Sequence, residues 1–410
     1  MNPLDPLLTD KLVKSSLSWL NNPYKVLLDA SHLHGASFYL KLPMLGRTLV
    51  TGDAKLIKEI RQSPDLVGGR GMTVLRPILT DESLIMKEGS EHAQRRKALA
   101  SLFTAGRIQA SDDSLKKMAD LILPLYWNRS EVPVYEMLRK IFLKVIVEFI
   151  FHESHDSRKI EIEALVEDFL GSFEHAAFLF VKPLQKNIPF TPWRKFSKTR
   201  ENLMEAISQE IKDGKLSTLD GKGLDHQACG SEIMSLLLFG HDTAAATSAW
   251  AMHHISQNQN IIPRFCKDDN FRDSVLYETM RLNPVVVHLT RVATRDLNIG
   301  SFEIKEGDRV LPCVYLAHHN PDVFEDPGSF HSERFIGGTD RYDGSYFPFG
   351  FGRRVCIGKY LALRQMQTLL PHLYTLAKFD PQGNKRTRAI RENVIMVPSN
   401  GLKMKVTAKN

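Results

Sequence analysis

The chain has 410 residues, of which 43% are hydrophobic and 25% are charged, and its formal net charge is +7. This composition excludes a disordered chain and is ordinary for a globular protein with a sizeable core. Lysine and arginine are dispersed and no nucleic-acid motif accompanies them, so the positive charge favours an acidic protein partner over DNA or RNA.

Length alone suggests two or three domains, but no linker, internal repeat or low-complexity tract is present. We therefore predict one domain over 1–410, with a β-rich patch at about 37–53 and a helix-rich remainder. The first 20 residues mix charges with short apolar stretches, so neither a signal peptide nor a membrane anchor is expected. The four cysteines lack CxxC or zinc-type spacing, which argues against disulfides and a structural metal site and favours a reducing cytoplasm.

The predicted elements are mostly helices. Alternating apolar residues over 38–53 predict a β-hairpin, and a second strand-rich patch covers 297–314. Helical periodicity is found at 54–62, 91–103, 115–126, 134–151, 159–173, 193–212, 231–256, 271–282 and 357–378. Pro284 should end the helix that precedes it, because the residue before a proline disfavours the helical region.

His92 and Arg96 lie four residues apart in a predicted helix, so their side chains share one face. Such a pair is more often a solvated surface feature than a site. The same two side chains can also bind a carboxylate through charge-assisted hydrogen bonds.

The longest predicted helix is interrupted by the polar run GHDT at 240–243. Gly240 costs roughly 1 kcal/mol relative to alanine in a helix. The Thr243 hydroxyl can bond to the carbonyl of Phe239 or Gly240 and open the hydrogen-bond ladder. An internally satisfied kink explains such a break as readily as a functional one. If the opened turn holds water, Asp242 and Thr243 form a proton relay toward a bound ligand.

Glu278 and Arg281 are three residues apart on a predicted helix. An exposed pair of this kind is common and contributes only about 0.2–0.5 kcal/mol. Arg291 follows ten residues after Arg281, and Arg334 lies further along in the run FHSERF.

Cys356 stands in the run FGFGRRVCIG at 349–358. The glycines permit a tight turn that brings backbone amides near the sulfur, and the helix predicted directly afterwards places the thiol at a helix N-terminus. The helix dipole, the amides and the two arginines favour the thiolate, which is the form that binds metals. From the residues alone this activated thiol could serve a metal, a redox switch or a nucleophile, whereas most cysteines are buried and structural.

The Cys356 run resembles the haem-binding signature of cytochrome P450 enzymes, F-x-x-G-x-R-x-C-x-G, with matches at Phe349, Gly352, Arg354, Cys356 and Gly358. Other runs are similar to the remaining signatures of that family, in the family's order. They are the HxxxR pair His92 and Arg96, the oxygen-activation run with Gly240, Asp242 and Thr243, the ExxR pair Glu278 and Arg281, and the PERF-like Arg334. Three positions depart from the family pattern: Phe239 where a small residue is usual, Ala244 in place of Thr or Ser, and Ser332 in place of proline.

The resemblance covers about 92–401. It implies a mainly α fold with minor β, a helix-rich triangular prism with small sheets, and haem b buried between the long central helix and the cysteine loop. It implies Cys356 as the axial iron ligand and Thr243 with Asp242 as the proton-delivery pair. Other implied cofactor contacts are His92, Arg96, Arg291, Phe349, Arg354, Gly358 and Gly240, and the implied structural network is Glu278, Arg281 and Arg334.

A protein of this kind would be a haem-thiolate monooxygenase that uses dioxygen and two external electrons. The expected reaction is oxidation, in the first place hydroxylation, of an apolar molecule such as a terpenoid, steroid, fatty acid or polyketide-type compound. The chain resembles soluble bacterial members, which implies a ferredoxin or flavodoxin with its NAD(P)H-dependent reductase, and a cytoplasmic monomer. A basic docking surface is expected from Lys97, Arg353, Lys359 and Arg364.

The expected substrate-lining residues are largely apolar, and roughly half of them should simply pack the core. The main candidates are Phe239, Val286, Val287, Leu289 and Met396. Further candidates are Val74, Leu75, Ile78, Phe178, Phe180 and Ile395, with His288 and Thr290 as polar handles.

Three other functions remain open from the sequence. A peroxide-driven enzyme of the same fold would not need Asp242 and Thr243. A haem-binding sensor or carrier would have no use for a relay or a large apolar pocket. A helical scaffold without haem is more remote.

Overall fold

The computed structural model describes residues 19, 22–42, 46–127, 129–172, 185, 187–219, 221–342, 344–381 and 387–409. The backbone packs into two compact units. The sheet unit comprises Met1–Gly71, Ala246–Cys356 and Lys378–Lys405, and the helical unit comprises Met72–Ala245, Ile357–Ala377 and Val406–Asn410. The single domain over 1–410 stays a prediction.

Helices dominate the described residues, as the periodicity predicts. The α-helices are α1 (Pro23–His34), α2 (Ala54–Gln62), α3 (Gly89–Leu99), α4 (Ala105–Ile122), α5 (Val134–Ile150), α6 (Asp156–Gly171), α7 (Pro192–Lys212), α8 (His226–Phe239), α9 (Asp242–Gln257), α10 (Ile262–Lys267), α11 (Asp269–Leu282), α12 (Val314–His318) and α13 (Lys359–Leu376). Short 3₁₀ turns include Gly69–Leu75, Leu84–Met86, Ala100–Phe103, Leu123–Tyr126 and Gly352–Arg354.

The strands are short. They are β1 (Ser37–Leu42), β2 (Gly46–Thr51), β3 (Leu66–Val67), β4 (Val132–Pro133), β5 (Arg291–Ala293), β6 (Leu297–Ile299), β7 (Phe302–Ile304), β8 (Arg309–Pro312), β9 (Ala377–Pro381), β10 (Ala389–Glu392), β11 (Ile395–Pro398) and β12 (Lys403–Ala408). The main sheet of the sheet unit has the order β1-β2-β8-β5-β3, with β2 and β8 parallel and the other pairs antiparallel. Hairpins β6-β7 and β10-β11 belong to the same unit.

Most predicted elements are confirmed, with shifts at their ends. The hairpin over 38–53 is β1-β2, and the patch over 297–314 contains β6 to β8. Helix α4 begins ten residues before the predicted 115, and α11 ends at Leu282, two residues before Pro284, as predicted. Periodicity missed α1, α10 and α12. Helices α10 and α12 have only six and five residues, too few to complete a recognisable pattern.

Helix α5 forms the centre of the helical unit. The helix carries buried apolar side chains on nearly all of its faces, and Leu138, Ile141 and Phe142 are fully buried. A helix that is hydrophobic all round belongs inside a protein core. Helix α5 therefore gives its neighbours in this unit a rigid reference. None of the helices in the described ranges is long and apolar enough to cross a bilayer.

Candidate functional site

The cysteine loop, residues 349–358, is a compact turn that precedes helix α13 in the chain. The Gly350 amide donates to the Phe347 carbonyl at 2.9 Å, and the Cys356 amide donates to the Phe349 carbonyl at 2.9 Å. Gly350 has φ +76°, a left-handed conformation that a side chain disfavours. Of the four cysteines, all in described residues, only Cys356 is exposed, so its sulfur is accessible to a ligand.

A buried ion network precedes this loop in the sheet unit. The Arg281 guanidinium donates to both oxygens of Glu278, at 2.7 and 2.9 Å, and both side chains are fully buried. The Nε atom of Arg334 donates to the same carboxylate at 3.1 Å. The three residues that the sequence grouped as a network therefore lie together.

The network reaches the cysteine loop through a histidine. The Nη1 atom of Arg281 donates to the His318 carbonyl at 2.9 Å, and the His318 ring accepts the Phe347 amide at Nε2, at 3.0 Å. Burial holds the pKa of His318 well below its usual range, so the ring is neutral and can accept at Nε2. Sequence reasoning missed His318, because no local pattern marks a contact with a residue 29 positions away.

Two arginines of the sheet unit are placed at the cysteine loop: Arg291 lies near it, and Arg354 is part of it. The Arg291 side chain is largely buried, donates to the Thr290 carbonyl, and has its guanidinium carbon 5.2 Å from the centre of the Phe351 ring. The Arg354 side chain passes so close to Gly68 that a Cβ added there would lie 2.5 Å from Arg354 Cδ. Because Gly68 has no side chain, the Arg354 side chain can pass against its backbone.

In the helical unit, α3 carries His92 and Arg96 one turn apart. His92 is buried and Arg96 is half-buried, so they are not the solvated pair that is commonest at this spacing. The preceding segment, 80–86, is tied to α8 by polar contacts. Ser83 bonds to Ser235 at 2.8 Å, and the Leu84 amide donates to Glu232 at 2.7 Å.

Glu232 is a buried carboxyl that sequence reasoning missed. Burial raises its pKa to about 7, although the Leu84 amide and Arg95 act in the opposite direction. Arg95 lies 3.7 Å away and is also bound to Glu82 and Glu91, so it compensates Glu232 only in part. The anchor of the segment before α3 therefore titrates near neutral pH.

The polar run at 240–243 breaks the helix as predicted, between α8 and α9. The Thr243 hydroxyl donates to the Phe239 carbonyl at 3.1 Å, the first of the two acceptors proposed from the sequence. A Cβ at Gly240 would collide with the Leu236 carbonyl oxygen. The His241 ring bonds through Nδ1 to the Leu237 carbonyl at 2.7 Å. Side chains thus replace backbone hydrogen bonds lost at the break.

Asp242, the first residue of α9, accepts a hydrogen bond at 2.6 Å from the Tyr135 hydroxyl on α5. Asp242 is 7% exposed and Tyr135 is 2% exposed. No sequence signal could identify Tyr135, because 107 residues separate the two partners.

The expected substrate-lining residues fall into several surroundings. Val287 and Met396 are buried in a hydrophobic cluster of the sheet unit, a placement that favours a packing role. Leu289 is half-buried and lies beside Gly350 of the cysteine loop, and Val286 is half-buried. Phe239 packs against the hydrophobic core of the helical unit.

The described secondary candidates are all buried or half-buried. Ile78 and Leu75 pack with the helical-unit core, Ile395 and Thr290 are buried, and the His288 ring stacks on Trp19. Phe178, Phe180 and the Val74 side chain lie outside the described residues.

A mainly helical chain with a five-stranded sheet and an exposed cysteine shortly before a long helix has the features expected of the haem-thiolate class of protein. The chain matches the family model described as Cytochrome P450 over residues 11–268 and 270–406. It therefore belongs to the cytochrome P450 family, and it is a monooxygenase that binds haem b.

Curated relatives and solved structures agree with this assignment. Cytochrome P450 137 of Mycobacterium tuberculosis is 23% identical over 95% of this chain and 87% of that protein. Cytochrome P450 135B1 of Mycobacterium bovis is 22% identical over 95% of this chain and 88% of that protein.

Two solved structures show the same fold. Retinoic acid bound cyanobacterial CYP120A1 has a TM-score of 0.83 and 20% identity, with 96% of each chain covered. CYP175A1 from Thermus thermophilus has a TM-score of 0.81 and 22% identity, with 99% of this chain and 100% of that chain covered.

The side chains present fit a haem group. Within the described ranges, no three His, Cys, Asp or Glu side chains are grouped to hold a metal ion. Cys356 would supply a single sulfur ligand, and a porphyrin brings its own nitrogen ligands for the iron. Arg291 and Arg354 supply cations suited to propionate groups.

We expect removal of Arg281 to destabilise the protein strongly. An Arg281→Met variant leaves the Glu278 charge buried with less compensation, which should lower the free energy of unfolding by about 3–5 kcal/mol. Urea unfolding followed by circular dichroism measures this change. The exposed Arg264–Glu333 pair is a matched control, since Arg264→Met should have a marginal effect. Equal losses in both variants would contradict the network's structural importance.

Glu232 should make stability depend on pH in a definite direction. Its pKa is about 7 when folded and near 4.5 when unfolded, so the folded state holds the proton more tightly. The stabilisation is fully present below pH 4.5 and is lost as the pH rises through 7. Relative to a Glu232→Gln variant, the wild-type protein should lose on the order of 3 kcal/mol between pH 4.5 and 8. Urea unfolding at a series of pH values tests this. Exposed Glu205 gives the control Glu205→Gln, and a pH-independent difference for Glu232→Gln would refute the expectation.

Proposed function

We propose that this monooxygenase hydroxylates an apolar organic molecule, that Cys356 ligates the haem iron, and that a ferredoxin or flavodoxin with its reductase supplies the electrons. The observation that carries the proposal is the exposed Cys356 thiol, placed three residues before α13 in a loop tied to the buried Glu278 network. When bound, thiolate-ligated haem would supply the activation of dioxygen, with one oxygen atom inserted into the substrate and the other released as water.

In cofactor binding, the proposed role of the protein is to compensate the negative charges of the haem propionates. The proposed propionate partners are Arg291 and Arg354 in the sheet unit and, taken separately, His92 and Arg96 in the helical unit. Each is a cation or hydrogen-bond donor held partly or largely out of solvent. Phe349, Gly358 and Gly240 are the remaining proposed cofactor contacts. The peptide carbonyl of Phe349 already holds the Cys356 amide, which supports a role in shaping the loop.

Proton delivery is assigned to Thr243 and Asp242. A hydroxyl accepts as well as donates, so Thr243 can hold a water while donating to the Phe239 carbonyl. The neighbouring Asp242 carboxylate can exchange a proton with that water. Dioxygen chemistry consumes protons, and a buried site needs a fixed path for them.

The substrate is proposed to be a terpenoid, steroid, fatty acid or polyketide-type compound. Leu289, which lies beside the cysteine loop, and half-buried Val286 support an apolar pocket. The cyanobacterial structure with the same fold has retinoic acid bound, which supports an apolar ligand of that kind for this chain. The departure at Phe239 places a large side chain at the helix break, which would narrow the space available there.

Electron transfer is proposed to use a basic surface with Lys97, Arg353 and Lys359. Arg364, also expected in this surface, is bound by two contacts of 2.9 and 3.1 Å to Asp112, so its charge is largely compensated. Arg353 is exposed and lies three residues before Cys356. Its positive charge suits an acidic partner protein. We further propose a cytoplasmic monomer. The absence of a disulfide among the four cysteines, all of which are described, supports a reducing compartment.

A Cys356→Ser variant tests the iron ligand. Reduced wild-type protein exposed to carbon monoxide should show the red-shifted Soret band of a thiolate ligand, and Cys356→Ser should lose it because a serine oxygen replaces the sulfur. The control is Cys266→Ser, which should keep the band. A red-shifted band in Cys356→Ser would rule out Cys356 as the ligand.

A Thr243→Ala variant tests proton delivery. Without the hydroxyl, product formed per NAD(P)H should fall by about tenfold or more, and hydrogen peroxide release should rise. Thr243→Ser keeps a hydroxyl and should restore most of the coupling. Full coupling in Thr243→Ala would show that this residue has no part in the relay.

A further inference from the structure

The Asp242 carboxylate is held from outside its own helix. Its Oδ1 atom accepts the Tyr135 hydroxyl at 2.6 Å, and that hydroxyl belongs to α5, a helix most of whose side chains are buried. The Tyr135 ring is almost fully enclosed. The phenol therefore cannot swing away without disturbing the packing around it.

The nearest sequence neighbour cannot take over this role. His241 is fully buried, and burial lowers its pKa, so the ring is neutral. Its Nδ1 atom is used by the Leu237 carbonyl. The His241 ring thus brings no positive charge to the carboxylate beside it.

A buried carboxylate is costly unless donors face it. Here two sources of stabilisation are visible, the Tyr135 hydroxyl and the amide end of α9, where Asp242 is the first residue. A hydrogen bond from a hydroxyl to a carboxylate is about twice as strong as one between neutral groups. The helix end is attached to Asp242 itself, so of these two sources only Tyr135 fixes the carboxylate's direction.

We propose that Tyr135 is the positioning residue of the proton relay: its hydroxyl holds Asp242 in the one orientation from which the carboxylate serves Thr243. This inference rests on the proposed function, in which Asp242 and Thr243 deliver protons. Tyr135 keeps its own proton throughout, and no bond to it forms or breaks. Its effect is exerted entirely through Asp242.

The test is a double-mutant cycle in the haem-loaded enzyme, supplied with a surrogate ferredoxin and reductase. Tyr135→Phe removes one hydroxyl and retains the ring, and Asp242→Asn removes the carboxylate charge. Each should lower product formed per NAD(P)H, by about tenfold for Tyr135→Phe. Because Tyr135 acts through Asp242, adding Tyr135→Phe to Asp242→Asn should change coupling by less than about twofold.

A second measurement does not depend on turnover. Infrared spectra of enzyme with ring-labelled tyrosine report whether each phenol donates a hydrogen bond, and the Tyr135→Phe difference spectrum assigns the band of Tyr135. That band should shift in Asp242→Asn. The matched control is Tyr126→Phe, which removes a phenol hydroxyl from another buried tyrosine of the helical unit and should leave both coupling and the Tyr135 band unchanged.

The outcomes separate the inference from the proposed function. If Asp242→Asn uncouples the enzyme but Tyr135→Phe does not, or if their effects multiply, the relay stands and the positioning role is overturned. If Asp242→Asn leaves coupling intact, the relay itself fails and the inference fails with it. An unshifted Tyr135 band in Asp242→Asn would overturn the hydrogen bond on which the inference depends.

Discussion

The path of the chain around the cysteine loop in the sheet unit depends on the buried carboxylate of Glu278 and its ion pairs. The carboxylate is fully buried and receives Arg281 and Arg334, while Arg281 also donates to the carbonyls of Pro327 and Ser329. Charges buried in this way are tolerated only when nearly every donor and acceptor is used, because their desolvation is so costly. The chain around these residues therefore has little freedom to adopt another path.

That constraint is transmitted to the cysteine loop by ordinary hydrogen bonds. Arg281 holds the backbone at His318, the His318 ring holds the amide of Phe347, and the turn that follows ends at Cys356. The network itself performs no chemistry. Its consequence is that the exposed Cys356 lies in a loop whose start is rigid, which is the preorganisation that a metal ligand requires.

In the helical unit, the constraint lies at the break between α8 and α9, where backbone groups need hydrogen-bond partners. Interrupting an apolar helix leaves backbone groups without partners, and here His241 and Thr243 bond to the carbonyls of Leu237 and Phe239. These two carbonyls at the break therefore have partners within the protein. Asp242 follows at the start of the next helix, where the helix dipole favours its negative charge.

The amino-acid sequence by itself determined the helical character, the position of the break, the spacing of Glu278 and Arg281, and the run around Cys356. Each of these is encoded locally, since the relevant residues lie within a few positions of one another or in runs of fixed spacing. The place of Arg334 in the ion network followed only from the family resemblance, because 56 positions separate it from Glu278. Glu278 with Arg281, and Thr243 with Phe239, are neighbours along a helix, so periodicity alone places them together.

Only the tertiary structure decided which distant partners act on those residues. Tyr135 meets Asp242 across 107 positions, Glu232 meets Leu84 across 148, and Asp112 compensates Arg364 across 252. It also placed Val287 and Met396 in a packed cluster. The physical reason is that such contacts depend on how buried surfaces pack against each other, and an apolar or polar residue looks the same in sequence whatever it faces.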